Sequence, residues 1–520
     1  MPTIVNRQDS RFALAHRGRN HRFPATEADV AGRVEYCEST EDAAAALQKI
    51  LDAGLRPTVR SSGHCYEDFV VNNPNGAILD VSLLNHVSSG PGGSGPFAVQ
   101  PGAMLGNIYQ ELYKRANVVL PGGTCFTVTA GGHVSGGGYG VLARLQGITV
   151  DWLSSVDILT VDANGKVLPV RASKTGHPDL FRALRGGQGS NFGLITGFTF
   201  DELPPMPSEI LQAGISFDWN TMTPEKFVAI VTTYGKYWEE HDQNKETWGM
   251  FGYMGLNNKS MGRFGITAHF TNPDGTANDA SVLIDFLDRF EKCKPIAEAP
   301  PGYTAHEVRP GGGGNGVQRP IAPGDSVCYG QHVMTKTSWI ESAINGGGGG
   351  GGIGGGSRAK YKSAYMKKNF TEGEALALYK MLTDDVSRGL IVAVDSYGGA
   401  TNNPARAKDT AIPQRSSVMK LQYQTYWQDA SDDAARLKGI RETYTAAYST
   451  EVADQAHLGT PYPNDHFEGC YMNYPDVDMI QHSFWPQLYF GIGDLYPFLQ
   501  GVKKKYDLHN VFHHTMSIQA

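Results

Sequence analysis

Two stretches, Arg60-Ser-Ser-Gly-His-Cys-Tyr-Glu-Asp-Phe69 and Pro121-Gly-Gly-Thr-Cys-Phe-Thr-Val-Thr-Ala-Gly-Gly-His-Val-Ser-Gly-Gly-Gly-Tyr-Gly140, decide how this chain is interpreted. Each sets a reactive side chain among small residues, His64 in the first and Cys125 in the second. Glycine lets the backbone approach a bulky ligand closely, because no Cβ stands in the way. Successive backbone N–H groups in such turns can also bind an anion. The two loops therefore predict a large, phosphate-bearing ligand that lies across the protein.

The composition is that of a globular protein with a core of ordinary size. The chain has 520 residues, 40% of them hydrophobic, and a net charge of -7. This acidic balance argues against nucleic-acid binding, and no apolar run approaches the ~20 residues of a membrane span. The chain starts without a signal-peptide pattern, so we expect a cytoplasmic protein. The six scattered cysteines fit neither a disulfide framework nor a zinc site, and nothing in the pattern specifies an oligomeric state.

Regular structure is predicted on both sides of the loops. Residues 40–54 have the pattern of a helix, with Thr40 as its cap and Gly54 as its stop. The dipeptide Asn164-Gly165 between two apolar runs predicts a β-hairpin with a type I′ turn. Because strands and helices alternate without βαβ regularity, we predict an α+β fold rather than a doubly wound sheet.

The proline-rich run at 203–208 predicts a domain boundary. Beyond it, amphipathic helices near 224–240 and 277–292 alternate with strand-like aromatic runs. Glycine-rich tracts at 311–314 and 346–356 cannot bury enough apolar surface to order themselves, and they predict flexible surface loops.

Two later runs, 390–397 and 418–427, have the character of sheet strands. Side chains two residues apart share one face of a strand. This period groups Asp395 with Tyr397, and Lys420 with Gln422 and Gln424.

Three further segments extend the pattern of the loops: Arg185–Thr196, Cys470–Asp478 and Asn510–Ile518. Together the five segments resemble the berberine bridge enzyme-like oxidases of the vanillyl-alcohol oxidase/PCMH superfamily, and among them bacterial oxidases that tailor polyketides and glycopeptides. The resemblance implies three parts. These are a PCMH-type FAD-binding domain of two α/β subdomains (1–204), a substrate domain with an antiparallel sheet backed by helices (205–449), and a C-terminal segment that returns to the FAD domain (450–520).

The resemblance also implies FAD held by two covalent bonds, from His64 to the flavin 8α carbon and from Cys125 to flavin C6. Taken singly, such a histidine is more often structural and such a cysteine more often a small core residue. Their joint occurrence in two matching loops favours the tethers. We expect His133 to support the phosphate region and Cys65 to pack beside the first tether. The other expected cofactor contacts are Arg60, Ser61, Ser62, Gly63, Gly122, Gly131, Gly132, Gly136, Gly137, Tyr139, Gly140, Ile195, Asn473, Asn510 and Phe512.

Alcohol oxidation needs a base for the hydroxyl proton, and the resemblance implies Tyr474 of Tyr471-Met-Asn-Tyr474, with Tyr471 as the rival. A free tyrosine has a pKa of ~10, and lowering it to ~7 needs about 4 kcal/mol of differential stabilisation. A nearby cation or hydrogen-bond donor can supply this. Lys420, Gln422 and Tyr397 are the candidate partners, although each could equally be an ordinary strand residue.

We therefore predict an FAD-dependent oxidase that takes hydride from a C–OH group of a sugar, hemiacetal or secondary alcohol and returns the electrons to dioxygen, giving hydrogen peroxide. Leu153 lies near the position that gates oxygen in relatives, and its bulk keeps dehydrogenase behaviour open. Oxidative ring closure or desaturation is another alternative, and a flavin- or carbohydrate-binding protein without turnover is a third. A Rossmann-type dehydrogenase is disfavoured, because no Gly-x-Gly-x-x-Gly opens a helix here.

No metal site is predicted. The pairs Asp476/Asp478 and His513/His514 are too small a set of ligands, and both lie in segments that the resemblance assigns to the flavin region.

Overall fold

The computed structural model describes residues 2–296, 326–329, 332–346 and 357–520. Both predicted flexible tracts, 311–314 and all of 346–356 except its first residue, lie outside these ranges. The described strands form three sheets, of four, five and eight strands. Helices combined with largely antiparallel sheets confirm the predicted α+β class.

The four-stranded sheet carries the first loop at the end of one strand. Its order is β1 (Thr3–Asn6), β2 (Arg33–Tyr36), β4 (Ala77–Asp80), β3 (Pro57–Arg60). The strands β2, β4 and β3 run parallel, and β1 joins as an antiparallel edge.

The five-stranded sheet is antiparallel throughout. Its order is β5 (Val87–Ser88), β6 (Phe97–Val99), β9 (Leu194–Phe200), β7 (Ser155–Val161), β8 (Val167–Ser173). The predicted hairpin is the β7–β8 pair. Its turn is not type I′, because Asn164 does not adopt a positive φ and only Gly165 does, at 76°. Instead the Asp162 carboxylate accepts from the backbone of Asn164 and Lys166.

The eight-stranded sheet is also antiparallel. Its order is β13 (Ser326–Tyr329), β14 (His332–Thr337), β10 (Ile210–Asp218), β12 (Arg263–Phe270), β11 (Met250–Asn257), β16 (Leu390–Ser396), β17 (Met419–Trp427), β15 (Arg358–Met366).

Fourteen α-helices lie in the described ranges, and none of them has both the length and the apolar character that crossing a membrane requires. They are α1 (Phe12–Ala15), α2 (Thr40–Asp52), α3 (Leu105–Ala116), α4 (Ala130–Ser135), α5 (Ala143–Gln146), α6 (Pro178–Leu184), α7 (Pro224–His241), α8 (Ser281–Asp288), α9 (Trp339–Gly346), α10 (Glu372–Thr383), α11 (Pro404–Ala407), α12 (Asp433–Ala447), α13 (Trp485–Phe490) and α14 (Leu495–Tyr506).

Helix ends follow local side-chain chemistry. The cap of α2 is Ser39 rather than Thr40, because the Ser39 hydroxyl accepts from Asp42 N at 3.1 Å. Gly54 follows the helix with a φ of 67°, as its predicted role as the stop requires.

The two faces of the eight-stranded sheet differ in character. On β11, Met250 and Met254 are fully buried, and Trp238 of α7 packs so closely on Gly252 that a Cβ there would lie 2.4 Å from its ring. The intervening Phe251 and Tyr253 face the other way and line a cavity. The sheet therefore buries one face on helices and presents the other to a ligand site.

The C-terminal residues pack on the N-terminal part of the chain. Phe512 joins the apolar cluster of α2 and β4, and Ile518 N donates to Asn191 Oδ1 at 2.9 Å. Lys503 Nζ is fully buried, pairs with Asp507 at 2.6 Å and donates to Phe512 O. His514 also stacks on Phe69 with ring centres 4.1 Å apart, which places the end of the chain beside the first loop.

Candidate active site

A cavity of about 590 Å³ opens between the two glycine-rich loops and the eight-stranded sheet. The loops supply residues 60–66 and 123–125, and the segment 471–475 lies between them and the sheet. Side chains from β11, β12, β16 and β17 form the opposite wall. One cavity thus collects the five segments that the sequence pattern singled out.

The first loop is anchored where β3 ends. The guanidinium of Arg60 is buried, pairs with Asp80 Oδ2 at 2.6 Å and donates to Arg17 O. Gly63 then takes a φ of 74°, which turns the chain so that His64 lines the cavity. Such a φ is disfavoured for residues with a side chain, so this position favours glycine.

The second loop brings its cysteine to the same place. Val128 N donates to Cys125 O at 3.1 Å, and Leu105 N at the start of α3 donates to Val128 O. The Thr127 hydroxyl lies 2.9 Å from His64 Nε2 and 3.8 Å from Cys125 Sγ. One hydroxyl therefore links the two predicted tethers, and the sequence analysis did not single it out.

Burial makes both loop histidines neutral at neutral pH. Burial, reinforced by the charge of Arg19, lowers the pKa of His64 to about 4. Burial alone lowers the pKa of His133 to about 4. His133 Nε2 accepts from Gly123 N at 3.1 Å. That hydrogen bond joins two parts of the second loop, Gly123 and His133, and stabilises its conformation.

The base region is built from three distant parts of the chain. Lys420 Nζ on β17 pairs with Asp395 Oδ2 on β16 at 2.7 Å. The same amine donates to the Tyr474 hydroxyl at 3.4 Å and lies 4.5 Å from the centre of the Tyr474 ring and 4.6 Å from that of Tyr139. The expected lysine–tyrosine contact is therefore present in the structure.

The direction of the Tyr474 pKa differs from the sequence expectation. Burial, reinforced by the negative charge of Asp395, raises it well above the ordinary value of 10. Lys420 lies nearer to Asp395 than to the phenol oxygen, so its charge does not offset the cost of burying a tyrosinate. In this state Tyr474 is a neutral phenol at neutral pH.

The other candidate partners have different contacts. Gln422 Nε2 donates to the Tyr66 hydroxyl at 3.0 Å rather than to Tyr474. Tyr66 stacks on Tyr361 with ring centres 3.6 Å apart and on Tyr474 at 5.4 Å. Tyr66, although inside the first loop motif, was not predicted as a site residue. Gln422 therefore hydrogen-bonds the ring that stacks on Tyr474 rather than Tyr474 itself.

Tyr397 lies away from the cavity wall. Its hydroxyl donates to Gln414 O at 3.1 Å, and it is 1% exposed. The alternation that grouped it with Asp395 stops because β16 ends at Ser396. The structure therefore does not bring the Tyr397 hydroxyl to Tyr474.

Tyr471, the rival base, lines the cavity beside Tyr474, with ring centres 5.0 Å apart. Asn473 Nδ2 donates to the Tyr471 hydroxyl at 3.1 Å and to His133 O at 3.0 Å. Burial raises the pKa of Tyr471, although the bonds it receives and Lys420 oppose the rise. Lys420 Nζ lies over its ring at 5.7 Å, which is farther than from Tyr474. The distance to Lys420 favours Tyr474, whereas the pKa is raised less by its surroundings at Tyr471, so the choice of base stays a prediction.

Most of the expected cofactor contacts line the cavity: Arg60, Ser61, Ser62, Gly63, His64, Cys65, Cys125, Gly132, His133, Tyr139, Gly140, Asn473 and Phe512. Of the residues that the structure describes, six expected contacts do not line this cavity: Gly122, Gly131, Gly136, Gly137, Ile195 and Asn510. Gly136 shows how they contribute, since a Cβ there would lie 2.0 Å from Asn473 Oδ1. Leu153, expected near an oxygen gate, is buried in the core. His514 lines the cavity and stacks on Phe69 at 4.1 Å.

The cavity wall fits a flat cofactor that carries phosphates. Gln188 and Ser190 line it with φ angles of 73° and 61°, and the buried Gln188 Oε1 has no partner within the described residues. Thr129 Oγ1 lies 2.8 and 3.0 Å from the hydroxyls of Ser61 and Ser62. At Gly132, which lines the wall, a Cβ would have no neighbour within 4 Å, so the wall is open at this point. Hydroxyls and open glycine backbone can bind the phosphate oxygens of FAD. The unpaired amide oxygen of Gln188 can accept from one of its N–H or O–H groups.

Within the ranges that the structure describes, no group of three or more His, Cys, Asp and Glu side chains could hold a metal ion.

Comparison with known proteins identifies the family. A family model described as an FAD binding domain matches residues 31–171, and one described as berberine and berberine-like matches residues 470–519. Aclacinomycin-N/aclacinomycin-A oxidase of Streptomyces galilaeus is 32% identical over 99% of this chain and 89% of its own length. This chain belongs to the berberine bridge enzyme-like family of FAD-linked oxidases.

Two further relatives agree with this placement. Hexose oxidase of Chondrus crispus is 32% identical and covers 99% of this chain and 94% of its own. A crystal structure of a glycopeptide hexose oxidase in complex with teicoplanin superposes with a TM-score of 0.82, at 29% identity, over 100% of this chain and 99% of that one. This berberine bridge enzyme-like oxidase is an FAD-dependent oxidoreductase acting on CH–OH donors, which confirms the predicted enzyme class. The domain limits at 204 and 449 and the roles of individual site residues stay predictions.

Proposed function

We propose that this protein oxidises a C–OH group of a sugar or of a glycosylated natural product, with FAD bound covalently to His64 and Cys125. FAD, when bound, supplies the hydride acceptor and passes the electrons to dioxygen, which yields hydrogen peroxide. One observation carries the proposal. The Tyr474 hydroxyl, with Lys420 Nζ 3.4 Å away, stands on the wall of the cavity that both tethering side chains also line.

Tyr474 is the group that takes the substrate's hydroxyl proton in this proposal. Because burial raises its pKa, only the minor tyrosinate form can accept that proton at neutral pH. Lys420 donates to the phenol oxygen and stabilises negative charge there. Asp395, 2.7 Å from the same amine, holds the lysine in position. The three side chains together support proton abstraction from an alcohol.

The sheet side of the cavity supports a hydroxyl-rich substrate. Tyr253 on β11 is the register partner of Asp395 on β16 and of Thr267 on β12. Because neighbouring strands lie about 4.8 Å apart, these side chains form a row that leads away from the base. His269 continues this face, and its buried Nδ1 has no hydrogen-bond partner among the described residues. Sugar hydroxyls can satisfy such groups, and the hexose oxidases among the relatives point the same way.

Oxygen uptake with product analysis tests the proposal. Purified protein would be supplied with monosaccharides, disaccharides and glycosylated polyketides, while oxygen and peroxide are followed. Acid-precipitated protein would be digested and mapped by mass spectrometry for flavin adducts. We expect one peroxide per oxidised hydroxyl and flavin on the peptides that contain His64 and Cys125.

Each alternative has its own signature in the same assays. Turnover with artificial dyes but not with oxygen would indicate a dehydrogenase. A product that has gained a ring or a carbon–carbon double bond would indicate cyclisation or desaturation. Tight sugar binding, measured by flavin absorbance, with no reduction by any of these compounds would indicate a binding protein.

A further inference from the structure

We propose that Thr127 positions both tethers for attachment, with its hydroxyl selecting the reactive tautomer of His64 and hydrogen-bonding the thiol of Cys125. This role rests on the covalent attachment proposed above. It assigns a positioning residue rather than a catalytic one, because Thr127 acts through the two side chains that react.

The geometry suits a hydroxyl that accepts from one partner and donates to the other. Thr127 Oγ1 is 2.9 Å from His64 Nε2 and 3.8 Å from Cys125 Sγ. A hydroxyl has one hydrogen and two lone pairs. It can therefore accept the Nε2–H of the imidazole and direct its own hydrogen at sulfur.

The contact to His64 decides which ring nitrogen can react. A neutral imidazole carries its proton on one nitrogen and a lone pair on the other. Burial lowers the pKa of His64 to about 4, so the ring is neutral at neutral pH. When Nε2–H donates to Thr127, the lone pair is on Nδ1. Thr127 thus favours bond formation from Nδ1 and holds the ring at a fixed angle.

The Thr127 hydroxyl, when it donates to Cys125 Sγ, stabilises negative charge on the sulfur. The thiolate is the reactive form of cysteine, and a hydrogen bond to sulfur favours it. This bond is longer than the one to His64. We therefore expect Thr127 to matter more for the histidine bond than for the cysteine bond.

The chemistry of attachment balances with dioxygen as the oxidant. Each new bond replaces one flavin C–H and one N–H or S–H by a C–N or C–S bond. Two protons and two electrons leave for each bond formed. One dioxygen accepts them and becomes one hydrogen peroxide. Thr127 is unchanged throughout.

Local structure explains why the hydroxyl reaches both groups. The Val128 N to Cys125 O bond closes a turn that encloses Phe126 and Thr127. The turn folds Thr127 back beside the cysteine, while Gly63 turns the first loop so that His64 meets it. Thr127 is exposed to solvent, so its replacement should leave folding intact.

The test compares two substitutions of nearly equal shape. Thr127→Val keeps the branched side chain and removes the hydroxyl, and Thr127→Ser keeps the hydroxyl. Wild-type and variant holoproteins would be sampled early after induction and at harvest, and the flavin-bearing fraction of each tether peptide measured by mass spectrometry. Thermal unfolding would check the fold of each variant, and Thr127→Ala would replace the valine variant if that one fails to fold.

We expect Thr127→Ser to match wild type. We expect Thr127→Val to lower the early flavin-bearing fraction at His64 tenfold or more, with a smaller loss at Cys125. Equal fractions at both positions in Thr127→Val and wild type would overturn the role of Thr127 while leaving the covalent attachment intact. Wild-type protein without both adducts would instead overturn the bicovalent attachment itself, and the role of Thr127 with it.

Discussion

Two lysine clusters lie on opposite faces of the eight-stranded sheet, and they are built differently. Near the base, the single amine of Lys420 is shared between the carboxylate of Asp395 and the phenol of Tyr474. Two strand residues of β15, Lys360 and Lys362, lie in the second cluster. Among the described residues, Lys360 pairs with three carboxylates and Lys362 with two.

The second cluster joins three parts of the chain. Lys360 pairs with Glu67 Oε1 at 2.5 Å and with Asp476 Oδ1 at 2.6 Å. Lys362 pairs with Asp476 Oδ2 at 2.5 Å and with Asp478 Oδ2 at 3.0 Å. Glu67 directly follows Tyr66, and Asp476 lies two residues beyond Tyr474. This cluster therefore fixes the backbone that carries the two stacked tyrosines.

The comparison separates charge used for structure from charge used for chemistry. Burial lowers the pKa of Lys360, but the surrounding carboxylates outweigh it and the pKa is raised. Such mutually satisfied buried charges stabilise one arrangement, and removing a partner is costly. Lys420 instead has a phenol as one partner, and that phenol can gain negative charge from a substrate proton transfer. The following predictions test this division, in order of expected effect.

Tyr474→Phe should lower kcat/KM for the oxidised alcohol about 10³-fold, because it removes the proton acceptor. Steady-state oxygen uptake per bound flavin would measure this loss. Tyr379→Phe, on the helix side of the sheet, is the matched control and should retain wild-type turnover. If Tyr471→Phe, rather than Tyr474→Phe, gave the large loss, the base would be Tyr471.

Lys420→Met should lower turnover per flavin about 10²-fold, because the tyrosinate loses its stabilising cation. Burial already raises the pKa of Tyr474, and losing the cation raises it further. The rise in rate that follows deprotonation of Tyr474 should therefore move to higher pH in this variant. Turnover measured between neutral and alkaline pH would show both effects. An unchanged profile would assign Lys420 to structure alone.

Lys362→Met should lower the free energy of unfolding by about 3 kcal/mol, because it leaves Asp476 and Asp478 undercompensated in the buried cluster. Urea unfolding followed by circular dichroism would measure the loss. Turnover per correctly folded, flavin-bound molecule should stay within about threefold of wild type. A hundredfold loss of turnover with unchanged stability would place this cluster in the chemistry and remove the contrast.

His269 on the cavity wall and Asp478 in the second cluster should lose their contributions to stability at different pH values. Burial lowers the pKa of His269 from 6.5 to about 4, so the unfolded chain binds a proton that the folded chain does not. The free energy of unfolding then falls as pH drops through that window, by at most about 1.4 kcal/mol per pH unit for each such histidine. Burial opposes the ionisation of Asp478, but Arg441 and the two lysines hold its pKa below 3.8. The stability that the ionised Asp478 carboxylate contributes is therefore lost at lower pH than the stability that depends on neutral His269.

His269→Gln should accordingly flatten the fall in stability between pH 6.5 and pH 5, whereas Asp478→Asn should leave the slope in that range unchanged. Urea midpoints at a series of pH values would decide between them. The reverse pattern would mean that the carboxylate cluster, rather than the cavity-lining histidine, titrates in this window.

Helix and turn positions were predicted correctly where the residues that determine them are close in the sequence. The helix predicted at 40–54 is α2, which spans Thr40–Asp52, and α7 spans 224–241 against a predicted 224–240. The turn at Asn164-Gly165 was placed correctly but typed wrongly, because the Asp162 side chain, which the dipeptide pattern ignores, organises it. Asp395 and Tyr397 were grouped by a strand that ends one residue too soon.

The sequence by itself determined the family, the FAD-binding class and the two loops that carry His64 and Cys125, because each loop holds its reactive residue and its small neighbours in one short stretch. Only the tertiary structure decided which groups meet. It brought Thr127 to His64, 63 residues away, and Lys420 to Tyr474, 54 residues away. It also raised the pKa of Tyr474 where a nearby cation alone would have lowered it. Burial and long-range contact arise from the packed chain, so no local pattern of residue types contains them.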